Sequence, residues 1–290
     1  MPEFDLGLLL KQFLNGASFV LFLILIAMGL SIIFGMMGVI NMAHGEFFML
    51  GAYVLLVVQD AGGSFWLGLF LAPIVVAIFG WAVERLVLRR LYGRYILATV
   101  LATWGFGLIL RQVIQLIFSA TPREIVGPIS GSLHFLGITY PAYRLFLMGM
   151  SLLVVLGVTI LFNKTRFGVW ARATIQDQET ASALGVNTSR MFQLTFALGS
   201  ALAGIAGALM SPLISVTPGM GIDFIVRSFF VVIVGGLGTI VGVLWGGVVV
   251  GEIESISNIF YPPTVSQAVL LGVVIVFMLL RPRGIVGKMG

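Results

Sequence analysis

The sequence predicts an all-α polytopic membrane protein with about eight or nine transmembrane helices, some of them broken or re-entrant. Three observations predict it. Of the 290 residues, 59% are hydrophobic and 9% are charged, whereas an average soluble domain carries roughly 25% charged residues. The apolar residues come in runs, and a helix needs about 20 of them to cross the hydrocarbon core. The basic residues, which give a formal net charge of +5, fall in short tracts between those runs. That is the pattern of loops on one face of a membrane, not of a nucleic-acid surface.

The passages follow in order. The opening "MPEFDLGLLLKQF" is acidic and runs straight into apolar chain, so it reads as a retained first helix and not a cleaved signal. Candidate passages are Leu14–Gly35, Ile40–Val58, Phe65–Val83, Ile96–Phe118, Leu145–Phe162, Met191–Leu213, Ile225–Val234, Thr239–Ile256 and Val265–Leu280. Ile225–Val234 is too short to cross alone, so it must borrow residues across the glycines that follow or re-enter. The whole chain, 1–290, reads as one transmembrane domain, with a loop at 163–190.

Loop charge sets orientation. "ERLVLRRLYGR" (Glu84–Arg94), "NKTRFGVWARA" with Arg190, and "RPRGIVGK" (Arg281–Lys288) all fall on one side if every passage crosses. That side, with the C-terminus, is predicted to be cytoplasmic and the N-terminus external. The opposite side receives "GGSFW", "SATPREIVGPISGSLHFLGITYPAY" and "YPPTVSQ", rich in turn residues.

From Gln12 to Val83 there is no Lys or Arg. A tight cytoplasmic hairpin at Met36–Asn41 would ordinarily carry some, so a break buried within the protein is the better reading. The stretch "GVINMAHGEFFMLGAY" then puts Asn41, His44 and Glu46 at membrane depth, where polar groups are costly without partners. Two readings stand. Asn41 could cap a half-helix whose free N–H groups face a translocation path, with His44 and Glu46 as polar walls. Alternatively, the three residues hold the break and touch no substrate. Arg111, with Gln115 one turn later, reads either as another buried polar candidate or as reaching the outer interface by snorkelling, and Asp223 with Arg227, four residues on, as an ion pair near the outer mouth.

In the loop, Asp177 is placed to cap a helix of roughly two turns, with Glu179 favouring its positive end and Gly185 closing it after Leu184. Asn187 or Thr188 then caps the next membrane helix. With Ala181 and Leu184 on its apolar side, the short helix either docks into a groove of a soluble partner or lies on the lipid with Trp170 as anchor.

Gly199, Ala203 and Gly207, with Ser200, Gly204 and Ala208 beside them, recur at four-residue intervals, a face for close helix packing. Gly235, Gly236 and Gly238 can break a helix. With the Asn41 stretch they form a pair of Gly-interrupted segments in the two halves, a pointer to a transporter's binding region. The chain has no cysteine, so thiolate chemistry is excluded. It has no phosphate-loop motif either, so ATP hydrolysis is not expected on it. His44 and His134 lack companions for a metal site, and no convergent nucleophile or acid suggests an enzyme.

"GVINMAHGEFFMLGAY", "ERLVLRRLYGR" followed by "LATWG", "TRFGVWARATIQDQETASALGVNTSRMFQLTFALGSALAGIAGAL", "VVIVGGLGTIVG" and the closing "RPRG" together resemble the permeases of the branched-chain amino-acid and urea class of bacterial ABC importers. The resemblance covers nearly the whole chain, in order. It implies a bacterial inner-membrane permease paired with a second, homologous permease, two cytoplasmic ATPase subunits and a periplasmic substrate-binding protein. ATP would be bound by the partner subunits and no cofactor by this chain. It also implies that Asp177, Glu179, Ala181, Leu184 and Gly185 form the ATPase-docking helix. "LATWG" looks more like the urea or short-amide branch. A standalone secondary transporter or channel is the alternative.

Overall fold

The computed structural model describes residues 6–92, 95–135 and 137–286. Among them are eleven α-helices: α1 (Leu6–Met37), α2 (His44–Asp60), α3 (Phe65–Leu86), α4 (Ile96–Phe118), α5 (Ala142–Lys164), α6 (Arg166–Gln176), α7 (Gln178–Ala183), α8 (Thr188–Met210), α9 (Met220–Gly235), α10 (Ile240–Phe260) and α11 (Pro263–Leu280). A hairpin of β1 (Ser132–Phe135) and β2 (Ile138–Pro141), absent from the sequence expectation, precedes α5. Seven segments, containing α1, α3, α4, α5, α8, α10 and α11, are long and apolar enough to cross a membrane. At 17 and 16 residues, α2 and α9 extend only about 25 Å.

The apolar faces explain the layering. α1 and α8 are mostly buried within the chain, whereas α4 and α11 are mostly exposed. Small residues let α8 approach its neighbours: a Cβ on Gly199 would meet Ile33 and the Gly29 carbonyl, one on Gly204 would meet Val76, and one on Gly207 would meet the Phe48 carbonyl. The stripe is therefore a packing face. Outward, α3 shows Trp66, Phe70, Ile74 and Ile78, a surface fit for lipid.

The bundle has two distinct ends. At one, Arg123 Nη2 pairs with both carboxylate oxygens of Asp60 at 3.0 and 2.9 Å, and Arg123 bridges to Val216. There, too, Tyr140 Oη donates to the Leu14 carbonyl at 3.1 Å, and Arg144 Nη1 to Asn15 Oδ1 at 2.6 Å. At the other end Tyr92 stacks edge-on against Phe192 at 5.2 Å and donates to Glu84 Oε1 at 2.7 Å. The chain's last described residues join this end, with the Ile285 and Val286 N–H groups donating to the Val234 and Gly235 carbonyls at 2.8 and 3.1 Å. The described parts of the three basic tracts lie here, as their alternation between passages predicts.

Candidate functional site

Gly38, at φ +63°, ends α1 in a left-handed turn that favours glycine. The chain then runs back along α1 as irregular backbone, because His44 Nε2 lies 3.0 Å from the Ile26 carbonyl. Ile26 is eleven residues before the end of α1, about 16 Å at helical rise. α2 therefore begins deep in the bundle and finishes at the Asp60 end.

Irregular backbone at that depth must find partners. The Met42 N–H donates to Thr103 Oγ1 of α4 at 3.1 Å, and the Thr103 hydroxyl itself donates to the Thr99 carbonyl at 2.9 Å. The Ala43 N–H donates to Asn41 Oδ1 at 3.1 Å. Asn41 thus closes the turn ahead of α2, while the residue at the cap itself is Ala43, without a side-chain cap. Thr103 lies inside "LATWG", so part of that motif serves the break. Nothing in the sequence alone paired it with Met42.

Glu46, in the first turn of α2, forms an ion pair with Arg111 of α4. An acid there is also favoured by the helix dipole. The Glu46 side chain is 4% exposed and that of Arg111 21%, so of its two readings Arg111 takes the buried one and turns inward. The aliphatic stem of Glu46 lies over Gly107, where a Cβ would sit 3.3 Å from its Cγ. Four buried polar atoms in this cluster have no partner among the described residues: Asn41 Nδ2, His44 Nδ1, Glu46 Oε2 and Arg111 Nε. Each such group is costly in an apolar interior unless water or a polar solute reaches it. Among the described residues no group of three or more acidic or imidazole side chains could hold a metal. The cluster can hold backbone and hydrogen-bond a small solute or water.

α9 begins at the same depth. Gly45 and Gly221 meet backbone to backbone, so that a Cβ on either would run into the other's carbonyl. Beside them Phe48 and Phe224 pack at 4.7 Å. Since Val216 is held at the Asp60 end, the chain dives from there to Gly221. Two short helices thus start face to face inside the bundle, their positive ends together.

The second break differs from the expectation. The helix before it borrows nothing across the glycines; α9 instead starts earlier, at Met220, and stops at Gly235. Gly236 and Gly238 take φ of +108° and +77°, and Gly238 lies against the backbone of Gly35, near the end of α1. The Gly235–Gly238 turn is therefore at the basic end, away from Asn41, His44 and Glu46. Arg227 also departs from its expected ion pair: its Nε donates to both oxygens of Glu254 at 2.8 and 3.1 Å, and only the Asp223 carbonyl accepts from its Nη1, at 3.3 Å. An antiparallel neighbour offers a buried carboxylate where the same helix offers an exposed one.

At the basic end α7 is capped twice. Asp177 Oδ1 accepts from the Glu179 and Thr180 N–H groups at 2.9 and 3.0 Å, and Oδ2 from the Thr180 hydroxyl at 2.5 Å. The Thr180 hydroxyl, then its backbone N–H, then that of Glu179, hold the Asp177 carboxyl below the usual carboxylate range. Gly185, at φ +89°, closes a Schellman motif: its N–H donates to the Ser182 carbonyl and the Val186 N–H to that of Ala181, both at 3.0 Å. Asn187 Oδ1 accepts from the Arg190 N–H at 3.0 Å and caps α8. Ala181 is buried inside the chain, whereas Leu184 is 81% exposed. Of the two residues expected on an outward apolar side, Leu184 alone lies outside.

The family model described as "Branched-chain amino acid transport system / permease component" matches residues 12–279. The chain is 29% identical to the high-affinity branched-chain amino acid transport system permease protein BraD of Pseudomonas aeruginosa, over 96% of both chains. It is 30% identical to the probable branched-chain amino acid transport permease protein LivH of Methanocaldococcus jannaschii, over 96% of this chain and 92% of that one. It is also 27% identical to the high-affinity permease protein LivM of Salmonella typhimurium, over 93% of this chain and 68% of that one. No solved structure matches. A multi-pass membrane protein and not an enzyme, the chain belongs to the family of branched-chain amino acid transport system permease components.

Proposed function

We propose that the chain is the permease subunit of an ATP-driven importer of branched-chain amino acids in the bacterial inner membrane. The names of the relatives support the substrate class, and urea, suggested by "LATWG", is in none of those three names. The observation that carries the ATP-driven part is α7: a helix of six residues, fixed by caps at both ends, with the bare apolar side chain of Leu184 at its tip. A rigid projecting element is what a soluble partner can push.

In this reading the basic end is cytoplasmic, with the C-terminus, and two ATPase subunits hold ATP and grip one α7 each across a pair of homologous permeases. A periplasmic binding protein delivers the substrate to the opposite end. That LivH-like and LivM-like chains both resemble this one supports such a pair. Asn41, His44 and Glu46 hold the midplane break, while Gly235, Gly236 and Gly238 form the hinge beside Gly35. Access alternates when ATPase closure shifts α7, and with it α6 and α8; substrate shifts the balance only through contacts that differ between states.

The test is co-purification and leucine uptake with the ATPase subunits, comparing wild type with Leu184→Glu. The variant should insert and melt like wild type but lose both the ATPases and uptake. Full retention of both would instead favour a standalone secondary transporter or channel.

A further inference from the structure

The cavity between α9 and α11 encloses about 300 Å³, within the size range of small-molecule sites. We infer that it binds the zwitterionic head of an α-amino acid: Asp223 takes the ammonium, Arg227 the carboxylate, and the apolar wall the side chain. The inference deepens the proposed transport function and rests on it.

Depth comes first. Asp223 follows Gly221 by two residues, and Gly221 abuts Gly45 at the start of α2, deep in the bundle. Yet Asp223 is exposed, and no described residue gives its carboxylate a hydrogen bond or ion pair. A charged side chain at that depth faces a wet cavity or a partner and not hydrocarbon. The contrast with α5 is direct, for its outer face is Leu152, Leu153, Leu156 and Ile160.

The cation is fixed in place. Arg227 Nε is bound to both oxygens of Glu254, a residue 3% exposed, and its guanidinium carbon lies 5.5 Å from the centre of the Phe224 ring. Those contacts, with Nη1 on the Asp223 carbonyl, leave Nη2 without an acceptor among the described residues. A guanidinium held through Nε and Nη1 keeps Nη2 for a carboxylate, and charge-assisted bonds of this type are the strong ones. Thr264 and Gln267 add polar groups from α11, and the rest of the lining is apolar, with Val226 and Phe230 from α9 and Leu270 and Leu271 from α11. Opposite charges together with an apolar wall match leucine, isoleucine or valine.

Because the chain contains no cysteine, an introduced thiol is the only one it carries, and labelling is read on this chain after separation from its partners. Ala268→Cys and, separately, Val226→Cys, both on the cavity wall, are placed in the full chain assembled with its partners in membrane vesicles. A membrane-impermeant cationic thiosulfonate should label both. Millimolar leucine should slow labelling several-fold, isoamylamine and isocaproate should not, and adding Asp223→Asn should abolish the protection by leucine. Labelling by membrane-permeant maleimide alone would mean a lipid-facing groove, and no labelling at all a face covered by protein. Either result overturns the site, as does equal protection by isocaproate. If wild-type vesicles accumulate no leucine, the transport reading itself fails; if they do and leucine gives no protection, only the cavity assignment fails.

Discussion

Gly45 and Gly221 touch backbone to backbone although 176 positions separate them in the chain, and a methyl group on either would collide with the other's carbonyl oxygen. Gly45→Ala or Gly221→Ala should therefore push α2 and α9 apart and cost about 1–3 kcal/mol, the usual range for overpacking. Gly105→Ala on α4 and Gly149→Ala on α5, where a Cβ meets nothing within 4 Å, should be neutral or slightly stabilising. Thermal unfolding in detergent separates the two groups, and equal melting of all four variants would refute the close approach.

The Glu46–Arg111 pair gives a sharper contrast. Arg111→Met leaves a buried carboxylate uncompensated and should cost about 3–5 kcal/mol, whereas Glu46→Leu combined with Arg111→Met should recover most of it, because removing both charges also removes the desolvation cost. A double-mutant cycle on folded yield and melting checks this. Additive losses would mean that the two side chains do not interact.

At the break itself, Thr103→Val strips the Met42 N–H of its acceptor, and Asn41→Leu does the same to Ala43. Each should cost about 1–3 kcal/mol where water is excluded. Thr103→Ser and Asn41→Asp keep an acceptor in place and should be milder. Were Asn41→Leu to assemble and transport like wild type, residues 38–43 would be an ordinary exposed loop.

The α7 cap has a pH signature. The folded state holds the Asp177 carboxyl below its ordinary value, so the cap's contribution is fully present above the unfolded value, about 4, and falls away as pH drops through the lower folded value. Amide exchange across 178–184 should therefore be flat from neutral pH down to about 5, after correction for intrinsic rates. It should quicken only in stronger acid. Asp177→Ala should exchange fast throughout, and Asp177→Asn should stay slow.

Much of this architecture could be read from residue order because it is local. The Asp177 and Asn187 caps, the Gly185 closure and the Gly199–Gly207 stripe each depend on neighbours within a turn or two, and apolar runs set the passages. What escaped was set by tertiary neighbours. Arg227 chose Glu254 on α10 over Asp223 on its own helix, and Arg111 turned to Glu46 because α4 leans on the break. The start of α9 was missed for a similar reason: its N-cap, Gly219, offers no side-chain cap, and the contact of Gly221 with Gly45 defines it more than any capping residue does.

The strap formed by Ile285 and Val286 carries a consequence for biogenesis. These two residues complete the C-terminal hydrogen bonds of α9, yet they are made only after α10 and α11 have been synthesised and placed. During translation the end of α9 must wait with bare carbonyls, or bind something else meanwhile, until the ribosome delivers Ile285 and Val286. Segments that emerge early and close late are exposed to misassembly. Quality control of this chain thus falls after α11 has been made, and a truncation just before Ile285 would yield a protein whose eleven described helices are all present but whose bundle stays open at the basic end.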